Sequence, residues 1–268
     1  MTEHSILIAF GLTMIAGLAT GIGSGIALLF KRTNKNFLCA SLGFSAGVML
    51  YVSFMELIPT AKEEFTQLVG EKTGMLYLVL AFFGGMGLIA LIDFLIPESD
   101  NPHEMRAMED MHNPALQQKS LQRTGIVVAL SLAIHNFPEG IATFTSALNG
   151  LSVAIPITIA IAIHNIPEGI AVSVPIYHAT GNKRKAFWLS FLSGLAEPFG
   201  AIIAYFVLLQ FWSPLVNGIV LSAVAGIMVY ISLDELLPTA EKYGQHHLSI
   251  LGLIAGMLIM ALSLFLFL

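Results

Sequence analysis

Two stretches of this chain carry the same six-residue pattern, His135-Asn136-Phe137-Pro138-Glu139-Gly140 and His164-Asn165-Ile166-Pro167-Glu168-Gly169. In each copy the His and the Glu stand four residues apart, so on a helix they share one face, one above the other. Both copies lie inside apolar stretches, and a third carboxylate, Glu197, sits in another, again beside a proline, Pro198. One charged carboxylate at the middle of a bilayer costs at least ~2.5–3.5 kcal/mol. Three of them, with no Lys or Arg in the same stretches, need bound cations or protons to neutralise them. Imidazole, carboxylate and carboxamide together suit Zn²⁺, Fe²⁺, Mn²⁺, Co²⁺ and Cd²⁺. His135, Glu139, His164 and Glu168 match the usual coordination number of zinc. Asn136, Asn165 and Glu197 would supply a second, adjacent site sharing the two bridging Glu residues. No thiolate is present to hold an ion too firmly, which fits a site that must release it.

The elements that position these groups follow from composition. The 268 residues are 56% hydrophobic and 11% charged, with a mean hydropathy of +0.81. So few charges cannot cover a soluble domain of this size. Stretches of the length a helix needs to cross a bilayer fall at 5–30, 37–60, 74–96, 124–147, 152–176, 186–211, 214–238 and 248–268. That predicts an all-α integral membrane protein with eight transmembrane helices and no soluble catalytic domain. Prolines within them are tolerable where neighbouring helices satisfy the freed carbonyls, and Pro138, Pro167 and Pro198 should each kink a helix beside the polar residues. The single cysteine, Cys39, excludes an intrachain disulfide and reads as packing. The start of the chain has Glu3 in place of a basic region and reads as a first span rather than a cleaved leader.

With both termini outside, ten basic residues fall in interior loops: Lys31, Arg32, Lys35, Arg106, Lys119, Arg123, Lys183, Arg184, Lys185 and Lys242. Only Lys62 and Lys72 fall outside, a strong positive-inside bias. An internal repeat supports the same topology. The sixteen residues from Ala46 to Ala61 recur from Ala225 to Ala240, identical at ten positions, at an offset of 179. Shared small residues alone would reflect helix packing, but Tyr, Ser, Glu, Pro and Thr also match in register. Weaker echoes link Gly17-Leu18-Ala19 to Gly194-Leu195-Ala196, and Gly85-Met86 to Gly256-Met257. Spans 1–3 thus resemble spans 6–8, and spans 4 and 5 resemble each other. This is a 3+2+3 inverted repeat, a construction that places a binding site at the repeat interface of secondary transporters. The single domain divides into a first repeat half (1–96), an interior loop (97–123), a central helix pair (124–176) and a second half (186–268). Glu56 and Glu235 occupy equivalent repeat positions and would stand at the two mouths of an ion pathway.

The twin motifs, the Glu-Pro of span 6 and the Ala-Gly-x-Met of span 2 resemble the ZIP (Zrt/Irt-like) metal transporter family, over essentially the whole chain and closest to its bacterial zinc-transporting subfamily. That resemblance implies an eight-helix bundle in the inner membrane that imports Zn²⁺ and related divalent cations into the cytosol by alternating access. It implies a binuclear centre, with His135, Glu139, His164 and Glu168 at one site, and Asn136, Asn165, Glu197 and the bridging carboxylates at the other. Met49 sits where some relatives place a weak sulfur ligand, although a mid-span Met is more often packing. No catalytic cofactor is implied, and Zn²⁺ or Fe²⁺ enters as the transported ion. The expected partners are divalent cations and the lipid bilayer, with no nucleic acid. Small residues at Gly84-Gly85 and Gly256 would suit a homodimer. The loop between spans 3 and 4 carries only His103 and His112, with Met105, Met108 and Met111, and reads as a linker, as do His246-His247. No phosphate-binding Gly-x-x-x-x-Gly-Lys-Ser/Thr is present, so the chain is not expected to use ATP. An intramembrane zinc-dependent hydrolase is the rival from another class, but it lacks His-Glu-x-x-His.

Overall fold

A computed structural model describes residues 3–29, 35–95, 133, 136–148, 150–243 and 245–267. All regular structure among them is helical: α1 (Glu3–Leu29), α2 (Lys35–Val52), α3 (Ile58–Val69), α4 (Glu71–Leu95), α5 (136–148), α6 (Leu151–Thr180), α7 (Lys183–Gly194), α8 (Ala196–Ile203), α9 (Pro214–Ile231), α10 (Leu237–Tyr243) and α11 (His246–Phe267). Seven helical stretches among the described residues are long and apolar enough to cross a membrane. The eighth expected span, 124–147, lies mostly outside the described residues, although its portion 136–148 is helical.

Local sequence explains where the helices start, bend and stop. Gly70 (φ 82°) ends α3 and Gly181 (φ 64°) ends α6, both in backbone conformations that a side chain would strain. Asn182 caps α7 by accepting from Lys185 N at 3.1 Å, and Ser213 caps α9 by accepting from Val216 N at 3.3 Å. Span 2 does not stop near residue 60. It runs on through a π-helical turn at Ser53–Leu57 into α3. Span 7 does the same through Ser232–Leu236 into α10. Each turn precedes a proline, Pro59 or Pro238, whose missing N–H and bulky ring break the regular ladder. The helix stays continuous because the wider turn closes one residue further back, with Ile58 N–H on Ser53 O and Leu237 N–H on Ser232 O. Span 6 is interrupted at Leu195, three residues before Pro198.

Helix crossings recur at fixed offsets, and glycines make them possible. A Cβ added to Gly47 would lie 2.0 Å from Leu253 O, and one on Gly226 would lie 2.0 Å from Phe82 O. Gly226 follows Gly47 by 179, and Leu253 follows Phe82 by 171. The contacts of Gly85 with Ala223 O and of Gly256 with Phe44 O obey the same two offsets. Around the centre, Gly23 meets Ile166 O and Gly200 meets Phe137 O, while Gly169 meets Thr20 O and Gly140 meets Glu197 O. These pairs are related by 177 between α1 and α7–α8 and by 29 between α5 and α6. Gly17 and Gly194 meet each other's carbonyls. Two of the three glycines expected to favour self-association, Gly85 and Gly256, are therefore used within the chain. Nothing lies within 4 Å of a Cβ on Gly84.

Burial grades outward from α6. Its apolar window is 76% buried, against 22% for α4 and for α11. The outer faces of α4 and α11 carry Leu80, Phe83, Phe94, Leu251, Leu258 and Phe265, exposed as lipid-facing side chains are. Met49, Leu57, Ile161, Leu221 and Met228 belong to the main apolar cluster. Cys39 is buried, as expected of a packing residue, with its thiol directed at Gln245 O.

Candidate metal centre

Next to the Gly17–Gly194 crossing, five helices bring polar side chains into the apolar interior. Asn136 and Glu139 come from α5, His164, Asn165 and Glu168 from α6, Glu197 from α8, Ser45 from α2 and Thr20 from α1. All eight are fully buried. Glu139, His164 and Glu168 point ligating atoms to one place, all within 4.8 Å of one another. His164 Nε2 lies 3.2 Å from Glu139 Oε1 and 4.0 Å from Glu168 Oε1. The other ring nitrogen, Nδ1, is 3.0 Å from Ala160 O. A carbonyl can only accept, so Nδ1 carries a hydrogen and Nε2 is the nitrogen turned toward the carboxylates. Nε2 and a carboxylate oxygen thus meet across 3.2 Å in a dry interior, a place that either a shared proton or a metal ion can fill.

A second set of oxygens adjoins the first. Asn165 Nδ2 donates to Ala16 O at 2.9 Å and also to Glu197 Oε1. Asn136 Nδ2 donates to Ser193 O at 3.2 Å. These bonds hold both amides with their carbonyl oxygens turned away. Asn136 Oδ1, Asn165 Oδ1 and Glu197 Oε2 are buried without a hydrogen-bond partner among the described residues. Unsatisfied acceptors and no fixed cation make a site suited to a positively charged ligand.

The structure therefore brings together Asn136, Glu139, His164, Asn165, Glu168 and Glu197, while His135 lies outside the described residues. Met49 is fully buried in the apolar cluster. Glu56 and Glu235 are partly buried within the two π-turns. The loop residues His103 and His112 fall outside the described residues. His246 is exposed, with Nδ1 2.6 Å from Glu241 Oε1. Sequence reasoning missed Ser45, whose Oγ donates to Glu168 Oε1 at 3.2 Å. It missed it because the repeat gives no flag: the residue 179 further on is Val224. Two buried contacts between helices were missed as well. Ser24 Oγ donates to Ser190 Oγ at 2.6 Å, tying α1 to α7, and Asn217 of α9 donates to Glu64 of α3.

Ser45→Ala removes one donor from the Glu168 carboxylate. It should raise the KM for metal uptake by about three- to tenfold, the worth of a single charge-assisted bond partly replaced by the ion. Uptake kinetics in reconstituted vesicles test this, and an unchanged KM would leave the Ser45 bond without consequence.

Membrane-spanning helices around a buried imidazole–carboxylate cluster define an integral membrane protein with a cation-suited interior. Comparison with known proteins makes the class specific. A family model described as "ZIP Zinc transporter" matches residues 95–264. The chain is 60% identical to "Zinc transporter ZupT" of Clostridium perfringens, over 98% of this chain and 97% of that one. It is 60% identical to the protein of that name in Streptococcus mutans, over the full length of both. With that of Lysinibacillus sphaericus it shares 56% identity over 98% of each. The chain belongs to the ZIP family of zinc transporters, and it is a multi-pass membrane protein.

Proposed function

We propose that this protein imports Zn²⁺ across the plasma membrane of a bacterium, and with it other divalent cations such as Fe²⁺, Mn²⁺, Co²⁺ and Cd²⁺. The single observation that carries the reading is the convergence of ligating atoms from Glu139, His164 and Glu168 within 4.8 Å of one another in a fully buried site. Its relatives' shared name, zinc transporter, points the same way. His135, Glu139, His164 and Glu168 hold one ion. Asn136, Asn165, Glu197 and the bridging carboxylates hold a second. The proposed architecture is eight spans in a 3+2+3 inverted repeat with both termini outside, and the paired crossings at offsets of 179, 171, 177 and 29 support it. Counterparts an odd number of spans apart run in opposite directions, so the pseudo-twofold axis lies in the membrane plane.

Transport follows from that symmetry. Spans 1, 4, 5 and 6 carry the site and move against the other four, opening it to each side in turn. The glycine crossings described above fall within spans 1, 4, 5 and 6 or within spans 2, 3, 7 and 8, and so support each group moving as a closely packed unit. Glu56 and Glu235 stand at the outer and inner mouths and hand the ion in and out. The rival reading as an intramembrane hydrolase has no support in the site or in the relatives.

Uptake of radiolabelled zinc into proteoliposomes is the test. Purified protein should give saturable uptake under an inward zinc gradient, reduced by unlabelled Fe²⁺, Mn²⁺, Co²⁺ or Cd²⁺ in an order that ranks its substrates. Folded protein that moves no zinc under a gradient, a membrane potential or a proton gradient would overturn the proposal. In the same assay Glu56→Ala should raise KM several-fold while leaving the limiting rate near that of the unaltered chain.

A further inference from the structure

The offsets that relate the two halves of the site place Thr20 where its partner half places Glu197. Ala16, Gly17, Thr20 and Gly23 of α1 precede Ser193, Gly194, Glu197 and Gly200 by 177. Their contacts correspond one for one. Asn165 Nδ2 bonds Ala16 O as Asn136 Nδ2 bonds Ser193 O. A Cβ on Gly169 would meet Thr20 O at 2.0 Å as one on Gly140 would meet Glu197 O at 1.9 Å. The site is thus nearly symmetric, save that one half ends in a carboxylate and the other in a hydroxyl.

That hydroxyl is also held away from its ordinary partner. A Ser or Thr inside a helix usually satisfies itself on the carbonyl four residues back. Thr13 does so on Ala9 O at 2.9 Å, Thr143 on Glu139 O at 2.9 Å and Ser232 on Met228 O at 2.7 Å. For Thr20 that carbonyl is Ala16 O, which the Asn165 amide occupies. Thr20 Oγ1 is fully buried and has no hydrogen-bond partner among the described residues. It lies against Gly194, where a Cβ would come within 2.9 Å of it. Gly194 follows Ser193, whose carbonyl holds Asn136 with its own oxygen unsatisfied. A buried orphan hydroxyl is costly, and a hydrophobic isostere would remove the cost.

We infer that Thr20 supplies a neutral oxygen donor to the second ion's site, opposite the Glu197 carboxylate, and so adds a sixth ligand to Asn136, Asn165, Glu197 and the two bridging carboxylates. This rests on the metal-site reading above. A neutral donor adds coordination without adding charge, which leaves the ion releasable. It favours ions content with five or six oxygen and nitrogen ligands, such as Mn²⁺, over an ion satisfied by four, such as Zn²⁺.

Cobalt absorption on the full-length protein in detergent tests it, because the intensity of the Co²⁺ visible bands reports coordination number. In the unaltered protein the ion held by four ligands should give intense bands, and the second Co²⁺ should add only the weak bands of a six-coordinate ion. Thr20→Val, nearly isosteric, should intensify the second ion's bands several-fold as that ion becomes five-coordinate, and Thr20→Ser should restore the weak bands. Competition binding should show Mn²⁺ losing about tenfold against Zn²⁺ in Thr20→Val alone. A Thr20→Val spectrum and competition ratio equal to those of the unaltered chain would overturn this role and leave the metal site standing. Bands that persist in Glu139→Ala/Glu168→Ala, or are absent from every form, would overturn the site reading and this inference together.

Discussion

Replacing Glu139 and Glu168 together by alanine is expected to reduce zinc uptake by at least about a hundredfold while the helical fold survives. The two carboxylates are the only acidic groups placed with His164 in the ligating cluster of the described residues. They also border the second proposed site, so losing both removes negative charge from each ion at once. Two imidazoles, two amides and the single Glu197 carboxylate cannot replace the hydration of a divalent cation in a dry interior, so the ion should no longer enter. Stability should fall little or even rise, because the empty site places buried carboxylates close together and their removal relieves that cost. Uptake and thermal unfolding, measured on the same preparations, separate the two effects. Uptake near that of the unaltered protein would remove the twin motifs from transport altogether.

Gly140→Ala is expected to be nearly as damaging for a different reason. The new methyl carbon would lie 1.9 Å from Glu197 O and 2.5 Å from the Glu197 carbonyl carbon. Both are backbone atoms with no rotamer in which to retreat, so α5 and α8 must separate. Overpacking of this kind costs about 1–3 kcal/mol, and a rigid obstacle puts it at the upper end. A fall of about 5–10 °C in the unfolding midpoint should follow. Separating the helices also shifts Glu197 away from Asn165, so the limiting rate of uptake should drop by more than the stability loss explains. Gly84→Ala and Gly11→Ala are the controls, since a Cβ on either meets nothing within 4 Å. Both should hold or gain stability, because alanine is the better helix former by about 1 kcal/mol. Equal behaviour of Gly140→Ala and Gly84→Ala would show that the α5–α8 crossing does not set the site.

Membrane-spanning helices were legible wherever the chain is simply apolar, because bilayer thickness fixes the length of such a stretch. The π-turns were not legible. Pro59 and Pro238 read as ends of spans, yet the helix continues past both because a wider turn satisfies the backbone one residue further back. The twin motifs announced Glu139, His164 and Glu168, since His and Glu at four-residue spacing share a face wherever the helix goes. Ser45 and Thr20 were invisible for the opposite reason. A hydroxyl in an apolar helix ordinarily bonds its own backbone, and nothing in sequence tells that Asn165 has taken the carbonyl Thr20 would use.

The sequence by itself determined the membrane environment, the helical class, the recurrence of segments at fixed offsets and the polar residue types in the apolar interior, because each follows from local composition or spacing. Tertiary structure alone decided which nitrogen of His164 faces the carboxylates, which acceptors are left unsatisfied and which glycines let backbones touch. Those features depend on atoms brought together from segments as far apart as Ala16 and Asn165, and on each donor bonding one partner at the expense of another.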